Sequence, residues 1–181
     1  TMKPKILVGC PTADPKAYCL QAYAKALNSV TYDNFDVLLV DNSDNDTYSK
    51  KISSLGIRVI RDVQQDIGAK KKIAHSRNIL REQVLQHYDY FLSLEQDVIP
   101  PPDIIERLLS HQKDVVSGVY YKDYNVKDKQ GTTIKKIIMP LAYVTAQKDH
   151  LRQLTAQDVL LPQLLPLATS GLGCILIKKE V

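Results

Sequence analysis

The sequence has no long apolar run and little cysteine. Its apolar runs, such as residues 6–10 and 37–40, have the length of a strand, whereas a helix that crosses a membrane needs about 20 residues. No basic segment precedes a long apolar stretch, so we expect no secretory signal peptide. The three cysteines are widely spaced. This spacing argues against a disulfide framework or a zinc site and favours a reducing, cytoplasmic compartment.

Short glycine motifs that mark several enzyme classes are also absent. The chain contains no GxGxxG, no GxxxxGKS/T and no GxSxG. Their absence argues against dinucleotide oxidoreductases, P-loop enzymes and α/β-hydrolases. The formal net charge of +4 over 181 residues is mild, so we expect no nucleic-acid partner.

The order of apolar segments predicts the fold class. Strand-length apolar runs alternate with segments of helical periodicity. The predicted strands are residues 5–10, 35–40, 57–60, 90–94, 115–121 and 171–177, and the predicted helices are residues 15–28, 50–55, 69–87 and a segment near 104–109. This order predicts a doubly wound α/β fold, with a mainly parallel central sheet and helices on both faces. The pattern changes after Tyr121, and residues 137–145 are predicted to form a small β-hairpin arm.

Polar residues follow four of the predicted strands. Residues 11–12, 41–42, 62 and 95–97 leave the carboxyl ends of these strands, and three of the four ends are acidic. Ligands of open α/β sheets bind beyond the carboxyl ends of the strands. A crevice lined with carboxylates repels itself, so the pattern predicts a cation there.

Glu95 and Asp97 form the sharpest candidate site. Alternate residues of a continuing strand point to the same side, so the two carboxylates are expected to converge. Paired carboxylates suit Mg²⁺ or Mn²⁺, which take further oxygen ligands from phosphates. The alternative is a solvated turn before the prolines at residues 100–102. The position at a strand end favours the metal.

Other candidates leave two interpretations open. Asp41 either accepts hydrogen bonds from a base or ribose, or forms a turn or helix cap. Residues 70–72 are three lysines in the first turn of a predicted helix, where they oppose the helix dipole. They and Arg77 either meet a phosphate or form a solvated basic face. Gly171 and Gly173 indicate either a close approach of backbone to ligand or a plain turn.

Five segments, taken in order, resemble the family 2 glycosyltransferases, which have the GT-A (nucleotide-diphospho-sugar transferase-like) fold. They are residues 6–12, 38–43, 76–78, 90–102 and 171–173. The resemblance implies a nucleotide-diphospho-sugar donor, UDP- or GDP-linked, and a Mn²⁺ or Mg²⁺ cofactor. It implies transfer, with inversion, to a hydroxyl of a saccharide, lipid or protein acceptor. It further implies one domain, with a nucleotide-binding half over residues 1–121 and a hairpin and acceptor-side half over residues 122–181.

The resemblance also assigns residues by position. The residues assigned to bind the donor nucleotide are Pro11, Thr12, Asp41, Arg77, Glu95 and Gln96. The metal is assigned to Asp97 with Glu95, and the sugar and acceptor side to Gly171 and Gly173. The family has Asp where Glu95 stands, so Glu95 is expected to act on the metal through a water, or on the ribose. The family's general base lies in a helix beyond Val181. No catalytic base is therefore assigned, and the resemblance leaves open peripheral association with a membrane through a further C-terminal part.

Three other functions compete with this interpretation. A sugar-phosphate nucleotidyltransferase needs a glycine-rich basic loop after the first strand, where residues 11–14 read Pro-Thr-Ala-Asp. A module that binds nucleotide-sugar without turnover agrees with the unassigned base. A phosphoacceptor receiver domain would use Asp41, but 181 residues exceed that fold.

Overall fold

A computed structural model describes residues 3–64, 68–147 and 150–181. Its contacts divide the chain into two units, Thr1–Val116 with Leu172–Val181, and Ser117–Gly171. The strands are β1 (Ile6–Thr12), β2 (Phe35–Asp41), β3 (Arg58–Arg61), β4 (Tyr90–Leu94), β5 (Val115–Ser117), β6 (Tyr121–Lys127), β7 (Thr133–Pro140), β8 (Ala142–Gln147), β9 (His150–Gln153), β10 (Thr169–Ser170) and β11 (Cys174–Lys178). The helices are α1 (Leu20–Asn28), α2 (Thr47–Ser54), α3 (Ala69–His87) and α4 (Ile104–Ser110), with 3₁₀ turns at Asp14–Lys16 and Gln157–Val159.

The first unit is built on a six-stranded sheet in the order β3-β2-β1-β4-β11-β5. Strands β1 to β4 run parallel to one another, with Ile6 opposite both Phe35 and Tyr90. Strand β11 runs antiparallel to β4, with Cys174 opposite Leu94. The sheet confirms the predicted mainly parallel α/β fold.

Helices cover both faces of this sheet. Tyr23 of α1 donates its hydroxyl to the carbonyl of Leu94 at 3.1 Å and contacts Cys10. Cys10 therefore points to the face that α1 covers. Neighbouring residues of a strand point to opposite faces of the sheet, and the opposite face is the one that α3 covers. The core on that face consists of Leu7, Leu38, Val40, Leu80, Val84 and Tyr88.

A glycine in β1 lets the α3 side of the core close. A Cβ on Gly9 would lie 2.1 Å from the Leu38 carbonyl oxygen and 3.2 Å from the Leu80 side chain. All three cysteines are buried, and burial together with the nearby Glu95 charge raises the pKa of Cys10 to about 12. The Cys10 thiol is therefore a packing group and not a nucleophile.

The first predicted helix has a different start from the one expected. Instead of running over residues 15–28, the chain makes a 3₁₀ turn at Asp14–Lys16 and begins α1 at Leu20. The Lys16 carbonyl accepts from the Cys19 amide at 3.2 Å, three residues on, and from the Gln96 side chain at 3.3 Å. These bonds hold the tight turn.

The second unit is all β in its regular structure. Strands β6 and β7 form an antiparallel hairpin, and β10-β8-β9 form a three-stranded antiparallel sheet. The hairpin lies at Tyr121–Pro140 and not at residues 137–145, and the predicted strand 115–121 is divided between β5 and β6. In the described residues of both units, no helix combines the length and apolarity that crossing a membrane requires.

Candidate active site

Three neighbouring parallel strands bring the predicted site residues to one edge of the sheet. Thr12 ends β1 directly opposite Asp41, which ends β2. The Thr12 hydroxyl lies 2.5 Å from Oε1 of Gln96, just beyond the end of β4. The carboxyl edge therefore gathers Thr12, Asp41 and the Glu95 and Asp97 pair in the first unit, as the strand order requires.

Asp41 is fully buried, and only one of its two carboxylate oxygens accepts hydrogen bonds from the described residues. Its Oδ1 accepts from the Ser43 amide at 3.0 Å and the Ser43 hydroxyl at 2.5 Å. Its Oδ2 is buried with no hydrogen-bond partner among the described residues. The turn interpretation accounts for one oxygen, and the N-cap of α2 is Asp46 and not Asp41. A buried carboxylate oxygen without a donor is costly, so Oδ2 marks a place for an N–H or O–H group.

Asp62, after β3, has three polar partners. It accepts from the Ser76 hydroxyl at 2.7 Å and from Gln64 at 3.2 Å, and Nδ1 of His75 lies 2.8 Å away. Burial raises the pKa of Asp62, but these hydrogen bonds together hold it below its ordinary value. The sequence placed Asp62 at a strand end without a role, and His75 and Ser76 carried no signal beyond their closeness to Arg77.

Glu95 and Asp97 each have a basic neighbour. Arg77 lies 3.1 Å from Oε1 of Glu95 and donates to the Ser93 hydroxyl at 3.3 Å. The Lys16 ammonium is paired with Oδ2 of Asp97. Partial burial lowers the pKa of Lys16, but the hydrogen bond and charge of Asp97 leave it raised. Arg77 was a predicted site residue, whereas Lys16 was not.

Gln96 points into the protein between these two carboxylates. It is buried, and its amide nitrogen donates to the Tyr48 hydroxyl at 2.7 Å and to the Lys16 carbonyl at 3.3 Å. Its oxygen accepts from Thr12. Gln96 thus joins the end of β4 to α2, to the end of β1 and to the turn that carries Lys16. The donor contacts predicted for Pro11, Thr12 and Gln96 stay predictions.

Strand β4 does not continue through the acidic residues as predicted: it ends at Leu94, and the Val98 amide donates to the Glu95 carbonyl at 2.9 Å, so Glu95 and Asp97 lie in a turn. Their residue types still suit a hard divalent cation. The side chains of Glu95 and Asp97 are 39% and 36% exposed, so a ligand can reach both. The described part of the chain holds no group of three or more His, Cys, Asp or Glu placed to bind a metal. Mg²⁺-type ions commonly use one or two protein carboxylates and complete their shell with water and substrate phosphates. The pair suits that use, and not a metal cage made by protein alone.

The two C-terminal glycines have different surroundings. The Gly173 carbonyl accepts from the Glu95 amide at 2.9 Å, which places Gly173 beside the acidic pair. Gly171 belongs to the second unit, where a Cβ would lie 1.8 Å from the Tyr120 hydroxyl oxygen and 2.7 Å from Leu141. Close packing therefore requires glycine at 171. Their placement beside the donor sugar and acceptor stays a prediction.

The sheet order and the acidic carboxyl edge define an α/β protein of the GT-A type. The model of glycosyl transferase family 2 matches residues 10–165, and the chain belongs to this family. A comparison with curated proteins finds no match.

Two solved structures are similar to this chain. The mannosyltransferase PcManGT from Pyrobaculum calidifontis, in complex with GDP-Man and Mn²⁺, superposes with a TM-score of 0.51 at 17% identity over 72% of this chain. TarS of S. aureus gives a TM-score of 0.47 at 19% identity over 61% of this chain. The chain spans 37% of the first structure and 20% of the second. The first likeness supports the GT-A fold.

Proposed function

We propose that this chain forms the donor site of a glycosyltransferase that uses a UDP- or GDP-linked sugar with Mn²⁺ or Mg²⁺. The observation that carries the proposal is Asp41, whose buried Oδ2 has no partner among the described residues, at the same sheet edge as Glu95 and Asp97. A nucleoside that is hydrogen-bonded to Asp41 would place its diphosphate along the same sheet edge, toward Glu95 and Asp97. The family membership and the fold support the same activity.

The chemistry of Asp41 selects among bases. An ionised carboxylate only accepts hydrogen bonds. Uracil and guanine carry a ring N–H on the pairing edge. Cytosine and adenine carry there an amino donor beside an unprotonated ring nitrogen, whose lone pair repels a carboxylate. Asp41 therefore favours a uridine or guanosine donor. The neighbouring mannosyltransferase was solved with GDP-Man, which agrees with this class.

The acidic pair and its basic neighbours serve the diphosphate. Asp97, with Glu95, would hold the divalent ion, which when bound supplies positive charge to the leaving diphosphate. Arg77 and Lys16 add positive charge from the protein beside the same carboxylates. An acceptor hydroxyl would attack the anomeric carbon on the side opposite the diphosphate. The new glycosidic bond would form as the bond to the diphosphate breaks, with inversion, and the hydroxyl proton would pass to a base that is not assigned here. The acceptor class and the cytoplasmic location stay predictions, and no residue is assigned as the catalytic base.

A nucleotide panel tests the donor site. Thermal unfolding is measured with UDP, GDP, CDP and ADP, each with and without Mn²⁺. A ligand at about 100 times its dissociation constant adds about 2.7 kcal/mol of stability, which for a domain of this size raises Tm by roughly 5–11 °C. We expect such a shift for UDP or GDP only, and a larger shift with Mn²⁺.

Two variants complete this test. Asp97→Asn should abolish the Mn²⁺-dependent part of the shift, whereas Asp123→Asn, an exposed carboxylate of β6, should retain it. A folded protein that no nucleotide stabilises would contradict the donor site. Donor binding without release of free sugar or transfer would instead identify a binding module.

A further inference from the structure

The cation that the acidic pair requires is already supplied by the chain. Arg77 pairs with Glu95 and Lys16 pairs with Asp97, so two positive side chains match two negative ones. An added divalent ion therefore meets carboxylates that already have partners. At Asp97 the ion and the ammonium compete for one carboxylate, because a carboxylate whose Oδ2 is paired with Lys16 keeps less negative charge for a second cation.

The two basic residues are held differently. The Arg77 side chain is 25% exposed and also donates to Ser93. The Lys16 side chain is 36% exposed, and Asp97 is its ion-pair partner. Its ammonium ends a flexible four-carbon stem, whereas its backbone is fixed. The Lys16 carbonyl is bonded by Gln96, the residue between the two carboxylates. Lys16 can release Asp97 while remaining next to it.

We propose that Lys16 is a displaceable counter-ion of the metal site. Without donor it occupies Asp97 and weakens divalent-ion binding. Once the ion takes Asp97, the Lys16 ammonium turns to the donor diphosphate. This inference rests on the proposed donor site and adds a coupling to it. Metal and nucleoside diphosphate should bind with positive cooperativity. The ion releases the Lys16 ammonium for the diphosphate, and the diphosphate draws that ammonium away from Asp97.

The first experiment measures the dissociation constant of Mn²⁺ by calorimetry, with no nucleotide present. We compare the wild type, Lys16→Met and Lys50→Met. Lys50 is a matched control, because it forms an exposed ion pair with Asp46 at 2.8 Å, outside the site. Exposed pairs of this kind are weak, so Lys16→Met should lower the Mn²⁺ dissociation constant by about two- to fivefold. Lys50→Met should leave it unchanged.

The second experiment measures the dissociation constants of UDP and GDP at saturating Mn²⁺, and compares them with those of UMP and GMP. Lys16→Met should weaken the accepted diphosphate by about tenfold, the size expected for one charge-assisted hydrogen bond. The matching monophosphate should change much less, and Lys16→Arg should restore part of the loss. Lys50→Met should bind all four nucleotides as the wild type does.

These results separate the inference from the donor site itself. An Mn²⁺ affinity that stays the same or falls in Lys16→Met overturns the counter-ion role, even if UDP or GDP still binds. An equal loss for monophosphate and diphosphate overturns the second half of the proposal. Failure of the wild type to bind any nucleotide contradicts the donor site, whereas the competition for Asp97 is still judged from Mn²⁺ alone.

Discussion

Asp41→Asn should make the free protein more stable and the nucleotide complex weaker. The amide oxygen of the new side chain can take the place of Oδ1, because the Ser43 amide and hydroxyl both donate there. The amide nitrogen then occupies the place of Oδ2, the buried oxygen that has no partner among the described residues. The substitution keeps the turn and removes a buried negative charge.

The size of each effect follows from these contacts. A buried polar group without a partner costs about 1–3 kcal/mol, and more if it is charged. Replacing the carboxylate by a neutral amide should recover about 1–2 kcal/mol and raise Tm by about 2–8 °C for a domain of this size. The ring N–H of uracil or guanine would then face a second donor. Loss of a hydrogen bond to a charged group costs about 1.5–3 kcal/mol, or about 10- to 150-fold in dissociation constant.

The assay is urea unfolding of the free protein, combined with calorimetric titration of UDP and GDP in Mn²⁺. Asp123→Asn serves as the control, because it removes an exposed carboxylate from the second unit. It should change neither quantity. A less stable Asp41→Asn protein would refute the claim that Oδ2 of Asp41 is an unpaired acceptor in the free protein. Unchanged nucleotide affinity would refute the claim that this oxygen binds the base.

Two further substitutions test the framework of the site. Gly9→Ala should destabilise the protein by about 1–3 kcal/mol in urea unfolding, because its Cβ would lie 2.1 Å from the Leu38 carbonyl oxygen. A cost near zero would contradict this packing. Ser76→Ala should cost about 1.5–3 kcal/mol at pH 7, because it removes a 2.7 Å hydrogen bond to the buried Asp62 carboxylate. The pKa of Asp62 is lowered in the folded protein, so this stabilisation is present above the unfolded pKa of about 4 and disappears as the pH falls through the folded value. Thermal melts of wild type and Ser76→Ala should therefore converge in acid, and a constant difference would contradict the assignment.

The sequence predicted the sheet well because buried parallel strands appear as continuous apolar runs. The bounds of β4 and α3 agree with the structure, since β4 is a continuous apolar run and α3 begins after Gly68 with Leu80 and Val84 at helical spacing. The direction of β11 was not predictable. It follows a 55-residue excursion, Ser117–Gly171, and no local pattern specifies its orientation.

The site was predictable in its residue types but not in its pairings. Acidic residues at strand ends pointed to one edge, which the structure confirms for Asp41 and the 95–97 segment. The partner of Asp97 lies 81 residues away, in a turn that looked like ordinary helix. The hairpin strands were misplaced because many of their side chains are exposed on both faces. Their sequence therefore has little apolar alternation to indicate a strand.

The antiparallel β11 has a consequence for the architecture of the chain. Strands β5 and β11 are neighbours in the sheet, and the second unit is the segment between them. The two ends of that segment meet, with the Ser117 and Ser170 hydroxyls 2.8 Å apart. The second unit thus leaves and rejoins the chain at a single point. Insertions with adjoining ends can be exchanged or lengthened with little strain on their host, so the sheet of the first unit can accept second units of different length while keeping its own strand order.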